Sequence, residues 1–252
     1  IAGVLMLKFN INSIFFINSA SFLLLFLSIL ISYIPDQEHK ENGNDDIKEI
    51  FVGFKENFTN IKLRISLLFT IVVNIAMLGF NATIIYYLQD QLKLSNSLVG
   101  IVYSIAGFGS LIAVTFLSTF LNKKDAFILM NISMATIPLV IMASGIVENW
   151  IFFGICYSIL SGLITIASVS ITTIQQQEST VYNIGKILSS SFVIATIFAP
   201  FGGILAAYFN WLLNPRLSLV ILGLLSSLLV ILIKSYEKKL TKKRTAIFIK
   251  ED

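Results

Sequence analysis

Residues 150–174 read WIFFGICYSILSGLITIASVSITTI, without a single Asp, Glu, Lys or Arg. About 20 apolar residues carry a helix across the hydrocarbon core of a bilayer. A run this long and this free of charge reads as a membrane span. Comparable runs occur at 13–34, 65–88, 97–121, 125–147, 187–209 and 214–233. A backbone in lipid must satisfy its own polar groups within the segment, so each run is expected to be helical. The fold class expected is an all-α membrane protein with seven transmembrane helices.

The whole composition agrees. Of 252 residues, 56% are hydrophobic and 13% charged, with a mean hydropathy of +0.85. Soluble domains carry about 25% charged residues. The one cysteine, Cys156, lies inside an apolar run and the one histidine, His39, in a charged loop. One Cys and one His cannot form an internal disulfide, a His/Cys metal cluster or a Cys–His dyad. No cofactor is expected. A membrane enzyme would need such a nucleophile–base pair or metal cluster.

Charge fixes the expected orientation. Fifteen of the 18 Lys and Arg fall in 35–64, 122–125, 175–186 and the tail after 233, which alternate with the other loops. Only Lys8, Lys93 and Arg216 lie on the other side. The positive-inside rule puts the rich side, and the C-terminus, in the cytoplasm. Localisation in a plasma membrane, of a bacterium, is the expectation. The basic tail, 234–252, holds Lys234, Lys238, Lys239, Lys242, Lys243 and Arg244, and suits the anionic lipid of the inner leaflet. That position accounts for the charge without nucleic acid as a partner. In 35–64, Ile47, Ile50, Phe51, Phe54 and Phe58 recur at helical spacing. Either a short amphipathic helix along the membrane face or a solvated linker fits that pattern.

A faint duplication organises the spans. Residues 2–10 read AGVLMLKFN and residues 202–210 read GGILAAYFN, aligning Gly3 with Gly203, Leu5 with Leu205, and Phe9-Asn10 with Phe209-Asn210. Both copies end an outward-going segment and precede a span running inward. The repeat unit is then six spans, 65–233. Span 13–34 becomes the last helix of a preceding unit, and 1–9 the end of a truncated helix before it. About five helices would stand upstream of Ile1, and parallel six-helix repeats are a known transporter plan.

These residues resemble the major facilitator superfamily. A span closing at Tyr33-Ile34-Pro35, a charged central loop, six spans and a cytoplasmic tail look like that family's C-terminal half. Phe16 to Phe22 (FINSASF), the stretch Gln175 to Gly185, and Ala199-Pro200-Phe201-Gly202-Gly203 are similar to the branch of drug and macrolide efflux permeases and siderophore exporters. Ile184-Gly185-Lys186 stands where many members have Arg-Gly-Arg, and the basic loop between two spans is reduced to Asn122-Lys123-Lys124-Asp125. The resemblance implies a secondary transporter exporting drugs or other amphipathic small molecules by alternating access, coupled to protons.

Polar residues inside the spans are the candidates for a transport site. Thr70, Asn74 and Asn81 lie on 65–88, and Asn74 and Asn81, seven apart, share a face. A lipid-facing amide is costly, so this face is expected to look into the bundle, as a cavity wall or an interhelical hydrogen bond. Gly154, Ser158, Ser161, Thr165, Ser168 and Thr172 form a stripe of small residues. It suits close packing, with Ser161 and Thr165 as candidate cavity residues. Gly100, Ser104, Gly107 and Ser110 or Leu111 make a shorter stripe on 97–121, again suited to packing. Pro200 removes a backbone donor, and Gly202 and Gly203 follow it, marking either a structural kink or a gating hinge. No span interior holds a carboxylate or a histidine. Proton relays use such groups, so a coupling acid and its protons belong to the missing half. Two alternatives stand beside transport: a seven-helix receptor, and a truncated transporter that moves nothing alone.

Overall fold

A computed structural model of the chain describes residues 11–32, 46–120 and 126–251. Every element in them is helical: α1 (Ile11–Ile31), α2 (Asp46–Thr59), α3 (Ile61–Tyr86), α4 (Asn96–Phe120), α5 (Ala126–Ile146), α6 (Trp150–Glu178), α7 (Ile184–Leu212) and α8 (Pro215–Glu251). Six of them, α3 to α8, are long and apolar enough to cross a membrane. The apolar stretch of α1, Phe15–Ile31, is shorter. The fold is thus the expected all-α membrane type. Several expectations lie outside the described residues: the first repeat copy at 2–10, the Tyr33-Ile34-Pro35 end, His39 and the Asn122–Asp125 loop. So do the side chains of Ile47, Ile50, Lys243 and Arg244.

The helix ends follow from local chemistry. Asn60 caps α3, accepting from the backbone N–H of Lys62 and of Leu63. Asn149 accepts from Ile151 N at the start of α6. Pro215 opens α8, where a missing N–H costs nothing, and Asn214 Oδ1 accepts from Leu217 N. The far end of α3 widens into a π-helical turn, Tyr87–Gln91. Lys93, at φ 53°, then turns the chain. Asn183 precedes α7 but does not cap it. Its amide donates instead to Glu56 Oε1 on α2, at 2.7 Å.

Helix α3 is the centre of the bundle. It packs most extensively on α7, and also on α8, α6 and α2. The remaining large contacts are α4 on α6, and α5 on α6 and α8. Ile65, Phe69, Val72, Val73, Ala76, Phe80 and Ile84 of α3 are buried together in the core. Recurring every three or four residues, with Val72 and Val73 adjacent, they make one continuous stripe. Phe80 lies 6.3 Å from the ring of Phe153 and 5.1 Å from that of Tyr157, so aromatic packing ties α3 to α6.

Close approach between helices depends on small residues. A Cβ on Gly202 would overlap the Ile75 carbonyl, so glycine lets α7 touch the α3 backbone there. Gly79 of α3 faces the Gly202 carbonyl from the other side. A Cβ on Gly109 of α4 would likewise overlap the Ser158 carbonyl of α6.

The segment between α1 and α3 contains a helix, α2, with two faces. Phe51 and Phe58 are 61% and 53% exposed. The other face carries Gly53, Glu56, Asn57 and Asn60, at the i, i+3, i+4, i+7 spacing of one helix side. That face docks on the bundle, chiefly against α7.

Candidate functional site

A cavity of about 320 Å³ opens between α3, α6 and α7. Thr70, Val73 and Asn74 come from α3; Ser168, Ile171, Thr172 and Gln175 from α6; Leu188, Ser191 and Phe192 from α7. Each helix supplies residues three or four apart, because that spacing is what one face offers. The wall holds hydroxyls, amides, aliphatic groups and one aromatic ring, and no ionisable side chain.

Three of the six polar side chains in the wall are satisfied within their own helix. Thr70 Oγ1 donates to the Ser66 carbonyl at 2.8 Å, and Asn74 Nδ2 to the Thr70 carbonyl at 2.9 Å. Thr172 Oγ1 donates to the Ser168 carbonyl at 2.9 Å. Such back-bonding lets a polar side chain sit in a membrane helix at low cost. It leaves the oxygens of Asn74, Thr70 and Thr172 as acceptors for a bound molecule. Gln175 is 4% exposed, and its Nε2 donates to Ser191 Oγ at 3.0 Å, linking α6 to α7 across the wall.

Of the candidate residues, Thr70 and Asn74 meet in this cavity. Asn81 lies further along α3 and is exposed. Ser161 is not in the wall; it hydrogen-bonds Ser110 of α4 at 2.6 Å. Thr165, half-buried, donates to the Ser161 carbonyl of its own helix. The small-residue stripe of α6 therefore divides. Gly154 to Ser161 packs against α4, while Ser168 and Thr172 reach the cavity. Helix α7 runs unbroken through Pro200, which is exposed. Gly202 is the close contact with α3, and Gly203 meets only Leu78 at ordinary distance. The second repeat copy, 202–210, forms the end of α7, and its Asn210 donates to Thr83 Oγ1 of α3 at 3.3 Å.

Two polar wall residues, Gln175 and Ser191, escaped the sequence pattern. Gln175 continues the seven-residue step from Gly154 through Ser161 and Ser168. It was legible as one more position of that stripe. Ser191 lies in the run Ser189-Ser190-Ser191, where composition alone does not single it out.

Away from the cavity, ion pairs mark both ends of the bundle. Lys62 pairs with Glu178 at 2.6 Å, where α3 begins and α6 ends. Arg216 pairs with Glu148 at 3.0 Å at the opposite end, beside Tyr87, whose hydroxyl donates to the Val147 carbonyl. Among the described residues no group of His, Cys, Asp and Glu is placed to hold a metal ion.

The family model of the Major Facilitator Superfamily matches residues 1–186. No curated protein and no solved structure matches the chain. The matched stretch includes α3 and α6, two of the three helices around the cavity. With this match and six membrane-length helices, three of them lining the uncharged cavity, the chain belongs to the Major Facilitator Superfamily, a family of membrane transporters.

Proposed function

We propose that α3 to α8 form the C-terminal half of a proton-coupled secondary transporter that exports amphipathic small molecules, drugs among them, with α1 as the last helix of the preceding half. The cavity between α3, α6 and α7 carries this reading. Its wall offers acceptor oxygens beside Phe192, Ile171 and Leu188, and so matches a solute with both polar and apolar surface. Thr70 and Asn74 are the contacts on α3. Ser161 sets how α6 sits on α4, Thr165 is bonded within α6, and Asn81 stands on the exposed side of α3.

The Gly202–Ile75 contact supports α7 and α3 moving as a packed pair during alternating access. Pro200 gives that pair a turn with one backbone hydrogen bond fewer, and Gly202 and Gly203 soften the turn that follows. The cavity wall holds no carboxylate. A coupling acid would then stand on the facing half and take its proton there.

The basic end of α8 supports a plasma-membrane orientation with a cytoplasmic C-terminus. Lys238, Lys239 and Lys242 are exposed, free to meet anionic lipid headgroups. Lys234 is tied to the bundle instead. It pairs with Glu237 at 2.9 Å and lies 5.8 Å from the rings of Phe69 and Phe127.

The test is transport by the full-length protein in proteoliposomes under an imposed pH gradient, with a panel of fluorescent amphipathic dyes. Dye movement that collapses when the gradient is discharged supports the proposal. Movement of no dye in either direction overturns the substrate class, and movement indifferent to the gradient overturns the coupling.

A further inference from the structure

The cavity does not end at its own wall. Asn57 of α2 is 0% exposed and hydrogen-bonds a region 130 residues away in the chain. Its Nδ2 donates to the Ile187 carbonyl at 3.0 Å and to Ser190 Oγ at 2.8 Å. Its Oδ1 accepts from Ser191 Oγ at 2.9 Å. Ser191 in turn accepts from Gln175 Nε2 at 3.0 Å. Both Ser191 and Gln175 line the cavity. One unbroken chain of hydrogen bonds therefore runs from the linker helix to the wall.

The contact is built on both sides. A Cβ on Gly53 would overlap the Lys186 carbonyl, so glycine lets α2 lie directly on the first turn of α7. Glu56 accepts from Asn183 one turn earlier. Asn60 Nδ2 donates to Glu178 Oε2 at 3.1 Å, at the end of α6. The α2 face thus grips the α6–α7 connection on both of its sides. A buried amide with three partners is costly to strand, so the arrangement holds as a unit or opens as one.

We infer that Asn57 is a positioning residue for the cavity: through Ser191 and Gln175 it sets the placement of α7 against α6, so that α2 and the cavity wall change position together. The connection between α1 and α3 then does more than join two helical groups. It reports its own position to the cavity. This rests on the transport reading only for its consequence; the coupling of α2 to the wall stands on the contacts.

The test measures the wall directly. In the full-length protein in detergent, with Cys156 and any other native cysteine replaced, Ile171→Cys places a thiol at a buried wall position. Its labelling rate by a small maleimide reads how open the wall is. Asn57→Ala is expected to raise that rate about tenfold, since more than one buried hydrogen bond is lost. Gly53→Val, which pushes α2 off at Lys186 and Ser190 without removing any hydrogen-bonding group of the network, should do the same. Thr59→Ala, exposed on α2, should leave the rate unchanged. If Asn57→Ala does not fold, Ser191→Ala and Gly53→Val carry the comparison. Unchanged labelling in Gly53→Val and in the folded network variant overturns the inference. Dye transport is scored separately: raised labelling in a protein that moves no dye upholds the coupling and removes the transport reading.

Discussion

The hydroxyls of Ser110 on α4 and Ser161 on α6 meet at 2.6 Å, where the two helices approach closely beside Gly109. This pair shows what the first part of the α6 stripe does: it seats α4. Hydrogen bonds between membrane helices average about 0.6 kcal/mol, because the separated helices find other partners. Ser161→Ala should therefore lower stability only by about that much. Ser161→Leu forces a bulky side chain into a contact built for small ones and should cost several-fold more. Thermal unfolding in detergent distinguishes the two. Equal losses would show that the hydroxyl, not the close fit, holds the helices together.

Gly202 and Gly203 are adjacent but unequal. Gly202→Ala places a methyl against the Ile75 backbone, which cannot yield without moving α7. Gly203→Ala meets only Leu78, at 3.8 Å. Overpacking of this kind costs about 1–3 kcal/mol. A clear fall in melting temperature is expected for Gly202→Ala and almost none for Gly203→Ala. Similar falls in both would mean the second glycine is equally pinned.

Asn74 should separate function from stability. Its amide donates to its own helix, so Asn74→Leu strands no buried partner on another helix. Stability should change by less than about 1 kcal/mol. Dye efflux by the full-length protein should drop about tenfold, through loss of one acceptor in the cavity. Unaltered efflux would remove Asn74 from the site.

The charge asymmetry predicts topology. Reporter fusions after Lys242 should give cytoplasmic signals. Reporters inserted at Lys93 or at Asn149 should give outward ones, since the helices alternate direction. An outward C-terminus would contradict the charge-based assignment.

The membrane helices were legible because each run is long, apolar and uninterrupted by charge. The starts at Trp150 and Pro215 fall within a residue of the apolar runs, whereas α3 begins at Ile61, α6 runs on to Glu178 and α7 spans Ile184–Leu212, since polar residues continue a helix beyond its apolar part. Thr70 and Asn74 were legible as costly polar groups on one face. The docking face of α2 was not. Phe51, Phe54 and Phe58 drew attention as the apolar side, whereas Gly53, Glu56, Asn57 and Asn60 look like a solvated one. Asn57 is buried because its partners are a carbonyl and two hydroxyls on a helix far along the chain. No local pattern encodes that pairing. Ser161 was misleading for a related reason: one stripe of small residues serves packing at one end and the cavity at the other.

The most direct measurement is substrate protection at the cavity. Thr172→Cys puts a thiol in the wall, on an exposed position of α6. Maleimide labelling of this variant in the full-length protein would be followed with and without a saturating concentration of a dye that the protein transports. Lys239→Cys, exposed near the end of α8, serves as the reference. Slowed labelling at position 172 with an unchanged rate at 239 is the predicted result. Equal rates at 172 with and without dye would contradict the assignment of the α3–α6–α7 cavity as the transport site.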